Sequence, residues 1–422
     1  MNLLAKISTA SRWVAGVAMA VPVLLLVRLV RPVLLVRFGA LRSDVIGHMI
    51  YDPAYYLVCQ EIKPLKVVDC FYFTKRRHPN KFVARLIRRN LRVSEIFRYC
   101  EWLNRKIPGG ESHCVRLGGN SLGDDVDPSG VFQKTTSVMS FSSQERANGL
   151  NFLKAMGFSK SDQFICLVNR DPAYKRQHQS HVKKDWRYHS FRNSSIESYS
   201  AGIEALVERG YWVFRMGKSA ENAVGVEHPR VIDYPFLESR SDFLDVWLMA
   251  NAFFTISSGT GLDTVSTVYR RPVVYLDYIP IKYIVSYNRA ITLPKKLFWE
   301  GSGRMLSMDE SLKFSFQRSR DYEDNGIGIN ECSQEEKRDA ILEMEERLNN
   351  NWMGTVKDDI LQKQFWAHLK SWPDCEAHHG VIHPEARLVS SFLRQRGAEY
   401  LNIDGGRGAE DNDSSLDRSR RG

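Results

Sequence analysis

Apolar residues form short blocks separated by polar turns, and from residue 164 onwards strand-like and helix-like blocks alternate. Phe164–Val168 and Tyr211–Met216 are short blocks rich in β-branched and aromatic residues, typical of buried parallel strands. Helical spacing follows them, over Ile196–Arg209 and over Asp242–Met249. This alternation, continued to Leu276, predicts an α/β fold with a doubly wound parallel sheet.

The stretch from Ala250 to Pro280 carries the most specific local signal. A strand over Ala252–Ile256 is predicted to end in a turn made of Ser257, Ser258, Gly259, Thr260 and Gly261, followed by a helix over Leu262–Tyr269. Glycines permit a tight turn, hydroxyls add donors, and a helix begins with unpaired N–H groups. The segment therefore predicts a phosphate cradle at the carboxyl end of a strand. A turn without a ligand remains the alternative, because the segment matches neither a Walker loop nor G-x-G-x-x-G.

The N-terminal segment contains an uncharged apolar run, Trp13–Val27, with Lys6 and Arg12 before it and Arg28 and Arg31 after it. Residues 1–31 are predicted to be a membrane-associated helix that either spans the bilayer or lies in its interface. A buried helix and a signal peptide are the alternatives. Basic residues downstream favour a cytoplasmic location for the main body, at the inner face of the membrane.

The first domain is predicted to occupy residues 32–145, with strands at Val33–Val36 and Lys66–Phe73. A helix beginning near Asp44 places four polar residues at the carboxyl edge of the first strand: Arg42, Ser43, Asp44 and His48. Residues 75–106 are strongly basic with apolar residues at helical spacing, which predicts a basic amphipathic helix. Its basic face either contacts anionic lipid headgroups or is simply solvated.

The second domain is predicted over residues 146–350, a helical extension over 351–403, and a disordered tail over 404–422. Asn169, Arg170 and Asp171 follow the strand Phe164–Val168. A polar, basic loop over 174–192 is predicted to fold over a phosphate, with a solvated insertion as the alternative. Lys218 follows the strand Tyr211–Met216.

Charge and cysteine content narrow the function classes. The chain of 422 residues has a net charge of +10, which favours an acidic partner such as a membrane surface or a nucleotide-linked substrate. Its seven cysteines contain no C-x-x-C pair, so neither a disulfide framework nor a cysteine zinc site is predicted. Cys375, His378, His379 and His383 are close in sequence but lack the spacing of a zinc site, and we predict no metal.

Several motifs in one order resemble a bacterial glycosyltransferase family of surface-polysaccharide gene clusters. They are RSDVIGHM from Arg42, CLVNRDPAYKRQ from Cys166, WRYHSFRNSSIESY from Trp186, GYWVFRMG from Gly210, VIDYPF from Val231 and SDFLDVWLMANAFFTISSGTGL from Ser241. The resemblance implies two Rossmann-like domains facing a cleft, the GT-B fold, and a hexosyltransferase-like activity. The implied partners are a nucleotide-sugar donor and a lipid-linked or polysaccharide acceptor such as O-antigen or capsule.

The resemblance also implies roles for individual residues. The donor diphosphate is expected to bind Arg170, Arg192 and the turn Ser257–Gly261, and we include Lys218 in this set. Positive side chains suit a leaving diphosphate, because they stabilise the charge that grows as the glycosidic bond breaks. In the first domain His48 is expected to deprotonate the acceptor hydroxyl, with Asp44 or Asp52 as alternatives. The chain departs from the family at Asn169, where a histidine often precedes the arginine.

Three other functions are weighed against a transferase. A nucleotide-sugar epimerase has a similar fold, and a non-catalytic scaffold of a polysaccharide assembly complex would explain the membrane features alone. Binding of nucleic acid is not predicted, because the sequence contains no recognisable reading module.

Overall fold

The computed structural model describes residues 3–117, 126–136, 139–170 and 190–402, with side chains from Ser11 onwards. Their backbone contacts divide the chain into two compact units. The first comprises Met1–Lys160, Glu238–Ala252 and Gly261–Arg271, and the second comprises Ser161–Leu237, Phe253–Thr260 and Pro272–Gly422. Two short segments of the later sequence therefore belong to the first unit, which the sequence did not predict.

The helices and strands follow one another in mixed order. The helices are α1 (Leu3–Leu29), α2 (Ile46–Ile62), α3 (Lys81–Asn90), α4 (Ile96–Asn104), α5 (Ser143–Ala155), α6 (Ser200–Glu208), α7 (Asp242–Asn251), α8 (Thr264–Val268), α9 (Met308–Lys313), α10 (Ser319–Glu323), α11 (Gln334–Leu348), α12 (Val356–Lys370), α13 (Cys375–His379) and α14 (Ser390–Tyr400). The strands are β1 (Leu35–Leu41), β2 (Val67–Phe73), β3 (Arg92–Val93), β4 (Phe164–Val168), β5 (Trp212–Arg215), β6 (Val231–Asp233), β7 (Thr255–Ser257), β8 (Val273–Tyr278), β9 (Ala290–Pro294), β10 (Lys296–Trp299), β11 (Ile327–Asn330) and β12 (Arg387–Leu388).

The second unit is built on a seven-stranded sheet in the order β12-β9-β8-β7-β4-β5-β6, and every neighbouring pair in it is parallel. The interior residues Ile165, Val213, Ile256 and Val274 are fully buried, as expected for strands covered on both faces. The prediction of an α/β fold with a large parallel sheet is confirmed. The strands β9 and β12, which extend its edge, were not predicted.

The first unit contains the three-stranded parallel sheet β1-β2-β3. Its first strand begins two residues after the predicted Val33 and continues beyond the predicted Val36 to Leu41, through Gly39. Gly39 stays in the strand because it packs tightly: a Cβ there would lie 2.7 Å from the backbone oxygen of Val115. The predicted single basic helix over 75–106 is wrong, since α3 and α4 are separated by the short strand β3.

The predicted boundary between the two domains, at residue 145, falls inside α5. A capping box between Ser142 and Glu145 starts this helix. The region of Cys375 contains the short helix α13. Most of the predicted basic loop, residues 171–189, and the predicted disordered tail lie outside the described residues.

Helix α1 covers the whole predicted apolar run. Ser11–Leu29 is long and apolar enough to cross a membrane by length and composition, with a mean hydropathy of 1.8. This agrees with the prediction of one apolar N-terminal helix.

Candidate functional site

Sheet register brings two of the predicted site segments together at the carboxyl edge of the second unit. The neighbouring strands β4 and β7 are parallel, and Val168 pairs with Ser257. Both strands end at this level. The first is followed by Asn169 and Arg170, and the second by the serine- and glycine-rich turn. The backbone N–H of Arg170 donates to the Ser258 hydroxyl at 2.7 Å. The predicted proximity of Arg170 to the turn is therefore present.

The turn does not present its amides as a simple cradle. The N–H of Ser258 donates to the carbonyl of Val168 at 3.2 Å, and the N–H of Gly259 donates to the hydroxyl of Ser257 at 3.0 Å. Serine hydroxyls readily accept such local bonds. Ser257 and Ser258 are buried, whereas Thr260 is half-buried and Gly261 is exposed. Two of the amides expected to bind an anion are thus already hydrogen-bonded within the protein.

The helix after the turn is shorter than predicted. Instead of covering Leu262–Tyr269, α8 spans Thr264–Val268, and all five of its residues are buried. The acidic residue Asp263 occupies the position before its first turn. The predicted length of this helix is therefore wrong, and the contribution of its N-terminus to anion binding stays a prediction.

Arg192 supplies the positive charge at the turn. One of its guanidinium nitrogens, Nη2, donates to the carbonyl of Gly259 at 2.8 Å. Gly259 has a positive φ of 74°, and a Cβ at this position would lie 3.4 Å from the same nitrogen. Guanidinium has five N–H donors in a planar fork. Within the described residues, the hydrogen bond to Gly259 uses one of these five donors, so the Arg192 guanidinium keeps other donors for an anion.

The segment that carries Arg192 is fixed from the interior. Buried Lys295 donates from Nζ to the carbonyls of Phe191 and Asn193, at 3.0 and 2.6 Å. These carbonyls lie on either side of Arg192 in the sequence. Burial lowers the pKa of the Lys295 ammonium, while nearby carboxylates, including Asp277, act in the opposite direction.

A buried ion pair continues this support. Lys337 and Asp277 both have fully buried side chains, and Lys337 Nζ lies 2.5 Å from Asp277 Oδ2. The hydroxyl of Ser194 donates to Asp277 at 2.6 Å and accepts from Lys337 at 3.1 Å and from Tyr199 at 3.0 Å. Burial acts to raise the pKa of the Asp277 carboxyl, but the Lys337 charge and hydrogen bonds from Cys332 and Ser194 outweigh it, so this pKa is lowered.

Sequence reasoning missed Asp277, Lys295 and Lys337. Asp277 offered a signal, because it is an acidic residue within the otherwise uncharged strand β8. Lys337 offered no such signal, because in the sequence nothing distinguishes it from the other charged residues of a polar helix.

Asn169 connects the arginine segment to a second buried cation. Its side-chain oxygen accepts from Arg215 at 3.3 Å, and its amide nitrogen donates to the carbonyl of Ser194 at 3.4 Å. Arg215 is almost fully buried and pairs with Asp233 at 3.0 Å. An amide at position 169 therefore has a structural role here. Lys218 follows β5, which β4 separates from β7 in the sheet.

In the first unit, His48 lies in the first turn of α2. Its Nδ1 is 3.8 Å from the Asp52 carboxylate, and both side chains are largely buried, with 16% and 9% exposed. Asp44 is more exposed, at 44%, and lies 3.7 Å from Arg42. Asp52 therefore lies beside the His48 ring, one turn further along the same helix.

Gly261, the last residue of the predicted cradle, belongs to this same unit. A Cβ at Gly261 would lie 3.3 Å from the backbone nitrogen of Gly47. The chain thus passes directly beside the residue that precedes His48.

His379, the last residue of α13, is held in place by hydrogen bonds to neighbouring segments. His379 contacts the Ser286 hydroxyl through Nδ1 at 2.8 Å and the Lys282 carbonyl through Nε2 at 2.9 Å. Burial lowers the pKa of His379 to about 4. Within the described residues, no group of three or more histidine, cysteine or acidic residues is arranged to hold a metal ion.

Comparisons with known proteins give only distant structural likenesses. No protein-family model matches the chain, and no curated protein matches it. The ADP-heptose LPS heptosyltransferase II of E. coli is 14% identical, with a TM-score of 0.37 over 73% of this chain and 99% of that one. A family 9 glycosyl transferase from Veillonella parvula is 13% identical, with a TM-score of 0.36 over 61% of this chain and 86% of that one. The E. coli heptosyltransferase WaaC with ADP is 13% identical, with a TM-score of 0.29 over 61% of this chain and 90% of that one. At these values no family membership follows.

Proposed function

We propose that this chain is a glycosyltransferase that moves a sugar from a nucleotide-diphosphate donor to a lipid-linked or polysaccharide acceptor. The acceptor belongs to a bacterial surface polysaccharide, and the reaction takes place at the cytoplasmic face of the inner membrane. The observation that carries the proposal is the contact of Arg192 with the turn at Gly259, beside Arg170 at the carboxyl edge of a parallel sheet. Ligands of such sheets bind at this edge.

The charge at this edge suits a diphosphate. Arginine forms bidentate, charge-assisted hydrogen bonds with phosphate oxygens and stays protonated throughout the reaction. Lys295 and the Lys337–Asp277 pair hold the Arg192 segment in place before a ligand arrives, which lowers the entropic cost of binding. Lys218, Thr260 and Gly261 remain proposed contributors to donor binding.

The proposed chemistry is direct transfer. The acceptor hydroxyl gives its proton to His48 while its oxygen bonds to the anomeric carbon of the sugar. The bond between that carbon and the donor's diphosphate oxygen breaks, and the diphosphate leaves with the electron pair. Arg170 and Arg192 stabilise that charge. Asp52 stabilises the imidazolium, and Asp44 is the alternative base. Two Rossmann-like domains facing a cleft remain part of the proposal.

Nucleotide titration tests the donor site. The purified chain is titrated with UDP, GDP, CMP and dTDP and with the corresponding nucleosides, and we expect one of the nucleoside diphosphates to bind, whereas binding of CMP alone would contradict a diphosphate donor. Replacing Arg170 and Arg192 by methionine should weaken that nucleotide by roughly 10- to 100-fold, as expected for lost charge-assisted hydrogen bonds, and leave nucleoside binding unchanged. Arg320→Met is the matched control, because this arginine side chain is 82% exposed in the same unit. Binding of none of the nucleotides above background would refute the proposal.

Sugar transfer tests the base. His48→Gln should slow transfer by about 10²- to 10⁴-fold, the usual contribution of a general base, with nucleotide affinity unchanged. Asp44→Asn should leave transfer nearly intact. The reverse pattern would make Asp44 the base.

A further inference from the structure

Helix α1 has one buried and one exposed face, and both are apolar. Ala20, Leu24 and Val27 are buried at intervals of three and four residues, which places them on one face. The opposite face is open: Val14 and Leu25 are each 67% exposed. Its other exposed members are Met19, Val21, Leu26 and Leu29, and Val33 and Leu34 continue the surface beyond the helix. No charged residue interrupts the helix from Trp13 to Val27.

The buried face is fixed to α4 and to the loop after it. The Trp13 ring meets the Tyr99 and Trp102 rings edge-on, with centroids 4.9 and 5.4 Å apart. Gly16 lies so close to Tyr99 that a Cβ would be 2.5 Å from the ring. Near the end of the run, Arg28 donates to the Asn104 side chain at 2.7 Å. Both ends of the apolar run are therefore packed against α4, within the first unit.

These attachments are incompatible with a helix that crosses the bilayer. Tyr99, which packs against the middle of α1, has charged neighbours on α4. Glu101 pairs with Arg105 at 2.5 Å, and Arg98 lies 3.4 Å from Glu95. A spanning α1 would carry these charges into the hydrocarbon, where charged side chains are strongly disfavoured. An α1 that lies parallel to the membrane surface keeps every one of these contacts.

From this geometry we infer that α1 is an in-plane docking helix, whose exposed apolar face is buried in the headgroup and acyl boundary of an anionic bilayer. The surface, called here the α1 face, consists of Val14, Met19, Val21, Leu25, Leu26 and Leu29. The inference deepens the membrane association within the proposed function and does not depend on the transfer chemistry.

The residues around the α1 face favour lipid over a second copy of the chain. Arg12 and Arg31, at its two ends, are exposed, and so is Lys106 in the loop that contacts Arg28. Cations at the rim attract anionic headgroups, whereas two copies would bring like charges together. Trp13 and Trp102, at 36% and 41% exposure, suit the membrane interface.

Vesicle binding tests the inference. The full chain is mixed with vesicles of phosphatidylcholine alone or with equal phosphatidylglycerol, and we expect binding that is stronger to the anionic vesicles. Leu25→Asp with Leu29→Asp should weaken it by roughly 100-fold, from the burial of two leucines. Met353→Asp is the matched control, since Met353 is 86% exposed in the second unit. The nucleotide affinity of the double variant is measured alongside and should equal that of the wild type. A failure of the membrane-docking inference can therefore be distinguished from a failure of the proposed donor site.

Topology separates in-plane docking from spanning. An epitope placed before Met1 should be digested by protease added to the cytoplasmic side of sealed inner-membrane vesicles, because an in-plane helix leaves both its ends on one side. Protection of the epitope would overturn the inference. So would vesicle binding that the double aspartate variant leaves unchanged, or a lipid-free dimer that this variant dissociates without any vesicle binding by the wild type.

Discussion

The buried pair Lys337–Asp277 gives the sharpest stability prediction. Lys337→Met removes the ammonium 2.5 Å from Asp277 and leaves a fully buried carboxylate without its cation. Removing one partner of a buried pair costs about 3–5 kcal/mol in free energy of unfolding. Lys337 also donates to Ser194, so its loss weakens the support beneath Arg192.

The neighbouring residue supplies the control. Arg338 pairs with Asp339 at 3.1 Å on the surface of the same helix, with both side chains more than 40% exposed. Arg338→Met should change the free energy of unfolding by about 1 kcal/mol or less, because exposed pairs contribute little. Urea unfolding followed by circular dichroism measures both variants at pH 7.

The pH dependence of the loss identifies its cause. In the wild type the Asp277 pKa is lowered, so its contribution is present above the pKa of the unfolded chain and disappears as pH falls through the folded value. Without Lys337, burial dominates and raises this pKa. The carboxyl then becomes neutral as pH falls, and the stability gap between Lys337→Met and wild type should narrow from pH 7 to pH 5.

A double-mutant cycle completes the test. Lys337→Met with Asp277→Asn should be more stable than the sum of the single losses predicts, because it leaves no unpaired charge. A loss below about 1 kcal/mol for Lys337→Met, the typical range of an exposed pair, would refute the reasoning. A gap of constant size at both pH values would refute the assigned role of Asp277.

Three further predictions concern single residues. His379 has a pKa lowered to about 4, so the unfolded chain binds its proton first as pH falls, and stability should drop by about 2 kcal/mol from pH 7 to pH 5; His379→Asn should remove that part of the drop in urea unfolding. Gly149→Ala would place a Cβ 2.1 Å from the Trp247 ring and should lower the free energy of unfolding by about 1–3 kcal/mol, measured by thermal unfolding. Gly225→Ala, whose Cβ meets nothing within 4 Å, is the control and should leave the thermal unfolding unchanged. Gly259→Ala combines a φ of 74° with a close approach to Arg192 and should cost about 1–2 kcal/mol; the titrated nucleotide should bind it more weakly, and unchanged affinity would show that the turn does not position Arg192.

The sheet was predictable because its strands are short apolar blocks whose spacing reflects burial on both faces. Parallel strands end at one edge, so the neighbourhood of Arg170 and the turn followed from strand order alone. The edge strand β12, only two residues long, has too little sequence to show a pattern.

Features that depend on distant contacts were not predictable. The division of the region 75–106 depends on β3, whose two residues pair with β2. The loss of free amides in the turn depends on the Val168 carbonyl and the Ser257 hydroxyl, which accept from the Ser258 and Gly259 amides. In both cases the residue types were interpreted correctly, but hydrogen bonds to other segments or within the turn decide the structure.

The internal hydrogen bonds of the turn bear on how the proposed donor site would attract an anion. With the Ser258 and Gly259 amides bonded internally, we expect the guanidinium groups to supply most of the attraction that helix and loop amides were predicted to provide. Arginine side chains lose rotamer freedom when they bind, unless they are fixed beforehand. Arg192 is fixed, through Gly259 on one side and through Lys295 on the carbonyls that flank it. Nucleotide affinity should therefore depend on the buried lysines as well as on the arginine that contacts the ligand.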